Sequence, residues 1–102
     1  MYREEDTLPV FVREIQFEPD DPRRAAVRAA HLAHLATLHE RGELLTSGPW
    51  ATGDGAMLVY EAPDENAARR LVEADPFFTE RVVTELSLRQ WNRVFPKAVD
   101  GA

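Results

Sequence analysis

Apolar residues along this chain fall into short runs with two different periods. Leu8 to Phe17 (LPVFVREIQF) is rich in β-branched and aromatic residues and predicts a strand. Both of its parities are partly apolar, with Leu8, Val10 and Val12 on one and Phe11, Ile15 and Phe17 on the other, as in a strand covered on both faces. Glu18 to Pro22 is a loop that starts a helix: Asp21 suits the N-cap and Pro22 the first helical position. Arg23 to Arg41 is a long Ala-rich helical stretch, with Gly42 as its C′ residue; whether its first turns form a separate short helix is left open by the pattern. Glu43 to Trp50 predicts a second strand, ended by Gly48-Pro49, and Ala56 to Ala62 a third. Between them lies a compact turn, 51–55, where Gly53 and Gly55 permit positive φ, so the two strands read as a hairpin. Asp64 N-caps a second helix through about Ala74, with Ala67, Ala68, Leu71 and Val72 as its buried stripe. Asp75-Pro76 breaks that helix, Phe77 to Arg81 is a link of about one helical turn, and Val82 to Phe95 predicts a fourth strand before a loose tail, 96–102.

The order is β-α-β-β-α-β. It predicts an α+β fold of the ferredoxin-like kind: one four-stranded antiparallel sheet with two helices on one face, in a single domain over 1–102 with its core at about 8–95. The other sheet face would be bare in a monomer. In the last strand Val82, Leu86 and Leu88 share one parity while Trp91 and Phe95 take the other, so a large apolar patch is expected on the open face. A two-fold homodimer through that face is the simplest cover.

Composition narrows the function. Lys plus Arg total 12 against 18 Asp plus Glu, a formal charge of −6, which lacks the basic footprint of a nucleic-acid binder or a ligand of anionic membranes. The chain has no cysteine, which excludes a disulfide scaffold, a thiolate metal site and a Cys nucleophile and fits a cytoplasmic setting. No apolar run approaches the ~18 residues of a membrane span, and the acidic start has no signal-peptide core. With 102 residues, a deep site would hollow out the core, so the site is either shallow or completed by a second copy.

All three histidines lie in the first helix, at 31, 34 and 39. At ~100° per residue Val27, His31, Leu35 and Leu38 fall within one stripe about 80° wide. His34 lies toward solvent, Leu32 and His39 flank the stripe, and Arg28 projects close to it. His31 and Arg28 are thus aimed at the helix–sheet interface. One reading is a satisfied core histidine and a snorkelling arginine. The other is a neutral imidazole, of ordinary pKa ~6.5, serving as acid or base. A metal site is the third: His31 and His34 are three apart, but Leu32 stands where the helical zinc pattern needs Glu, so no metal is expected. Asp75 stands at a helix C-terminus, where the macrodipole disfavours a carboxylate. It either caps the turn begun by Pro76 or orients a nearby imidazole. Ser47 and Gly48 end a strand as ligand-binding or plain turn residues, and Trp50, Tyr60 and Trp91 are divided between core, interface and pocket.

Three ordered elements carry a resemblance: Arg28-Ala-Ala-His31-Leu, Gly42-Glu-Leu-Leu-Thr-Ser-Gly48-Pro49, and Glu73-Ala-Asp75-Pro76-Phe77. Together, from about Arg28 to Phe95, the chain resembles the YciI-like (YCII-related) family. The resemblance implies the dimeric α+β barrel fold, in which two ferredoxin-like sheets pack face to face. It also implies a catalytic pair at His31 and Asp75, with Arg28 in the same motif. Relatives include dehydrochlorinases of hydroxylated aromatics, and similar barrels include muconolactone isomerases. The turn at 51–55 is shorter than in many relatives. The combined expectation is a cofactor-free homodimer acting on a small carbonyl- or enol-bearing molecule. His31 moves a proton, Asp75 orients it, and Arg28, Ser47 and Gly48 contact the ligand. The alternative is a non-catalytic small-molecule-binding domain of the same shape.

Overall fold

The computed structural model describes residues 8–95. Its elements are β1 (Val10–Phe17), α1 (Pro22–Glu40), β2 (Leu44–Pro49), β3 (Gly55–Glu61), α2 (Glu65–Glu73), α3 (Pro76–Thr79) and β4 (Val83–Trp91). The strands form one antiparallel sheet in the order β2-β3-β1-β4, the ferredoxin-like arrangement of the α+β barrels. The expected link after Asp75 is a single helical turn, α3, so the helical layer has three pieces rather than two. The expected tail, 96–102, lies outside the described residues. Among those described, no helix is long and apolar enough to cross a membrane.

Local chemistry explains the boundaries. The Asp21 carboxylate accepts from the Arg23 N–H at 2.9 Å, and Pro22 follows it, so α1 starts there and runs unbroken. At its other end Gly42 takes φ +77°, and the Glu43 N–H bonds the Leu38 carbonyl at 2.9 Å, which satisfies the last open turn. Gly53 uses its freedom in the hairpin turn (φ +77°), but Gly55 does not have positive φ. Gly55 is glycine for a different reason: a Cβ there would collide with the Ile15 carbonyl of the neighbouring strand.

The helices cover one face of the sheet. Beneath them Ile15, Leu58 and Tyr60 meet Leu35, Leu38, Val72 and Phe77, while Phe11, Ala62 and Ala68 extend the core toward α2. His31, Leu35 and Leu38 are the buried positions of α1, and Val27 packs partly against the same core.

The last strand departs from simple alternation. Glu14 pairs with Ser87 and Ile15 with Glu85, so Leu86 is an extra residue in a β-bulge. Before the bulge Val83 and Glu85 face the helices; after it Leu88 does, and Leu86 is left 55% exposed. The expectation of Val82, Leu86 and Leu88 as one apolar row fails for this reason. Phe95 lies beyond the strand, which ends at Trp91. The open face still carries Val12, Met57 and Trp91 around a groove of about 280 Å³, crossed by a Glu14–Arg89 ion pair at 3.3 Å.

Candidate functional site

The site grows from the start of α3. Asp75 sits in extended backbone and its Oδ1 accepts the Phe77 N–H at 2.8 Å, capping the turn opened by Pro76. The same Oδ1 lies 2.7 Å from Nδ1 of His31, 44 residues earlier on α1. The two readings of Asp75, cap and imidazole partner, therefore describe one carboxylate with both contacts. The His31 ring stacks flat on Phe77, with centroids 3.7 Å apart and planes within 3°. Phe77 is itself placed by the cap, so one aspartate sets both the edge and the face contact of the imidazole.

Asp75 is fully buried, and its second oxygen meets a residue absent from the sequence-based list. Nη1 of Arg13, on β1, lies 2.7 Å from Oδ2. The same Nη1 donates to the Tyr60 hydroxyl at 2.9 Å. On its other edge the guanidinium donates through Nε and Nη2 to the two Glu85 oxygens, at 2.8 and 2.6 Å. This bidentate pairing is the strongest kind of carboxylate–guanidinium contact. Arg13 is itself fully buried. A signal for it existed: Arg13 alternates with Phe11, Ile15 and Phe17 in an otherwise apolar row. Glu85 could not be placed that way, because the bulge reverses its side.

The electrostatics follow from these contacts. Burial pushes the Asp75 carboxyl up, but hydrogen bonds from His31 and Arg13, with the Arg13 charge, outweigh it and hold the group below the ordinary carboxylate range. Burial opposes the Arg13 charge too, yet the hydrogen bond and charge of Glu85, with the hydrogen bond to Asp75, raise it above the usual arginine value. Burial pushes the Tyr60 hydroxyl up to about 12 against the pull of Arg13, so it is a neutral phenol. Because Asp75 is ionised, Nδ1 of His31 donates the shared proton, and in the neutral form of the ring Nε2 carries the lone pair. Nε2 has no hydrogen-bond partner among the described residues. One cation and two anions, Arg13 with Asp75 and Glu85, leave a net charge of −1 beside a neutral His31; a proton on the imidazole brings the group to neutrality.

His31 lines a cavity of about 730 Å³ between α1 and the β2–β3 edge of the sheet. Ile15, Leu35, Leu58 and Phe77 give it apolar walls, and Arg28, Ser47 and Gly48 also line it. Arg28 is exposed, on the cavity wall rather than in the helix–sheet interface as the stripe suggested. Arg24, another residue the sequence reading passed over, lies there too, its guanidinium 4.4 Å from the Phe17 ring centroid. His34 is half-buried rather than solvent-facing, and His39 bonds the Leu44 carbonyl at 3.0 Å; neither lines the cavity. Of the aromatic candidates Tyr60 is core, Trp91 lies on the open face, and Trp50 is exposed beside the hairpin turn. Among the described residues no group of three His, Cys, Asp or Glu side chains could hold a metal ion.

Comparison with known proteins bears on the family and the fold. The YciI proteins of Escherichia coli and Shigella flexneri are each 34% identical over 83 residues, covering 72% of this chain and 85% of theirs. Among solved structures, the chain superposes with a TM-score of 0.72 on the 5-chloro-2-hydroxyhydroquinone dehydrochlorinase of Burkholderia phenoliruptrix, in complex with 2,5-dihydroxybenzoquinone. That match covers 86% of this chain and 98% of the other, at 24% identity, and speaks to the fold. The profile of the YCII-related domain matches residues 10–92, almost the whole described chain, and the protein belongs to the YCII-related family.

Proposed function

We propose that the protein is a cofactor-free, cytosolic enzyme in which His31 transfers a proton on a small carbonyl-, enol- or phenol-bearing molecule bound in the cavity of α1. The carrying observation is the 2.7 Å contact between Nδ1 of His31 and a buried, ionised Asp75, with the ring lining an apolar cavity. In this reading Nε2 takes a proton from an acidic C–H or O–H and returns it to another atom of the same molecule, an isomerisation, or passes it to solvent while the freed electron pair expels a leaving group as its anion, an elimination. Asp75 holds the tautomer and balances the imidazolium. Arg28 meets an anionic substituent at the cavity wall, and Ser47 and Gly48 bound the other side. The fold neighbour is a dehydrochlorinase bound to a hydroxylated quinone, which makes hydroxylated and chlorinated hydroxyaromatics the first compounds to test.

A homodimer through the open sheet face belongs to the same proposal. Val12, Met57 and Trp91 are apolar there, and the Glu14–Arg89 pair supplies both signs of charge to a face that would meet its own copy.

The test is a thermal-shift screen of such compounds, followed by NMR measurement of solvent deuterium entering the ligands that bind. Wild type is expected to exchange or convert a ligand, with the rate falling ~10²–10⁴-fold in His31→Ala. Binding without exchange or conversion in wild type would overturn the enzymatic reading in favour of a binding module.

A further inference from the structure

We propose that Arg13 is a positioning residue for the His31–Asp75 pair, holding the Asp75 carboxylate anionic and aimed at Nδ1 while Glu85 and Tyr60 hold the guanidinium in place. The inference rests on the proton-transfer reading of that pair and adds the residue that makes it workable. The Asp75 oxygens are divided: Oδ1 serves His31 and the Phe77 N–H, and Oδ2 serves Arg13. A carboxylate held at one oxygen can still swing about that contact, whereas partners on both oxygens fix its plane. Arg13 in turn is held by both Glu85 oxygens and by Tyr60, so it has little freedom to follow a moving carboxylate.

Stability alone does not account for this arrangement. A buried ion pair is often no more stabilising than well-packed apolar residues of the same volume. What an apolar residue at 13 would not do is keep Asp75 charged, since burial by itself pushes that carboxyl up. The groups around Asp75 are few. His31 comes from α1, Arg13 from β1, Tyr60 from β3 and Glu85 from β4, with the Phe77 N–H from its own turn. Helix α2 meets it through the Val72 carbonyl, with Arg70 and Glu73 exposed. Among the described residues Arg13 is the one permanent cation in direct contact with Asp75.

NMR of the full chain tests the proposal without a substrate. Two signals are followed: the downfield Nδ1–H proton of His31 and the 13C titration of the Asp75 carboxyl. Wild type is expected to show the proton, lost in Asp75→Asn, and an Asp75 midpoint below that of ordinary carboxyls. In Arg13→Met the Asp75 acid constant is expected to fall by about tenfold or more, and the Nδ1–H signal to broaden through solvent exchange. Arg13→Lys, which keeps charge but not the planar fork, should restore the low midpoint and leave the proton broadened. If Arg13→Met does not fold, Glu85→Gln and Tyr60→Phe loosen the guanidinium from its far side, and each should speed Nδ1–H exchange severalfold. Folded variants with both signals unchanged would overturn the role of Arg13 and leave the His31–Asp75 pair standing. Absence of an Asp75-dependent Nδ1–H proton in wild type would overturn the pair itself.

Discussion

Replacing Asp75 by alanine is expected to be among the most costly single changes in this domain. The substitution removes the N-cap of α3, the acceptor of His31 Nδ1 and one of the two carboxylates facing a fully buried Arg13. Loss of a cap costs about 1 kcal/mol. Removing one partner of a buried ion pair costs ~3–5 kcal/mol, and the lower end applies because Glu85 still grips the guanidinium. The sum is roughly 4 kcal/mol, a large fraction of the ~5–15 kcal/mol that holds a domain together. At ~4–8 °C per kcal/mol for a domain of this size, it lowers Tm by roughly 15–30 °C. Asp64 supplies the control: its carboxylate caps α2 by accepting the Ala67 N–H at 2.8 Å, but it is exposed and pairs with no buried charge. Asp64→Ala should therefore cost about 1 kcal/mol. Urea unfolding of both variants at one protein concentration, so that association does not shift the comparison, gives the difference directly. Equal losses in the two variants would refute the argument, because the contacts with Arg13 and His31 would then contribute nothing.

Four further outcomes follow from the same contacts. Asp75 is held below the ordinary carboxyl value of ~3.9, so its contribution to stability is complete above that value and is lost as pH falls through the lower folded one. Denaturant midpoints of wild type should accordingly drop below about pH 4 more steeply than those of Asp75→Asn. Tyr60→Phe keeps the ring in the core but deletes the hydroxyl bonded to Arg13, and should cost ~1–3 kcal/mol by chemical unfolding. Gly55→Ala drives a methyl into the Ile15 carbonyl and should cost ~1–3 kcal/mol, read as a lower Tm with unchanged helix content by circular dichroism. Val12→Glu, placed in the groove of the open face, should turn the proposed dimer into a monomer by light scattering; a monomeric wild type or an unchanged mass would remove that face as a dimer interface.

Much of the fold was legible because its signals are local. Asp21-Pro22, Gly42, Asp64 and Asp75-Pro76 each mark a helix end with a residue whose hydrogen bond or φ appears in the structure as expected. His31 stood out as the polar member of an apolar stripe, and it is buried there. Arg28 carried the same signal with a different outcome, because a long side chain near the edge of a stripe can turn to the surface. The contact between His31 and Asp75 was not legible from spacing, since 44 residues and two strands separate them. It depends on α3, a single turn whose packing against α1 no periodicity encodes. Arg13 could have been found as the one charge in its row of β1; Glu85 could not, for alternation along β4 assigns that side of the sheet to Leu86.

The bulge is therefore part of the site's electrostatics. With regular pairing through 85–87, Leu86 would take the helix-facing side and Glu85 would turn to the open face. Arg13 would then stand in the interior with Asp75 as its one anion, and the group around His31 would carry no net charge before a proton arrives. The single extra residue instead places a second carboxylate on the far edge of the guanidinium, at 2.6 and 2.8 Å. That leaves one uncompensated negative charge, which a proton on His31 neutralises. Glu85 is also the member of the cluster with substantial solvent contact, its side chain 30% exposed. Water can thus share the cost of the extra anion at the edge of the protein, while its effect reaches Asp75 through a fully buried arginine. A strand irregularity, invisible to the apolar pattern that predicts the fold, sets the charge with which the fold presents its histidine.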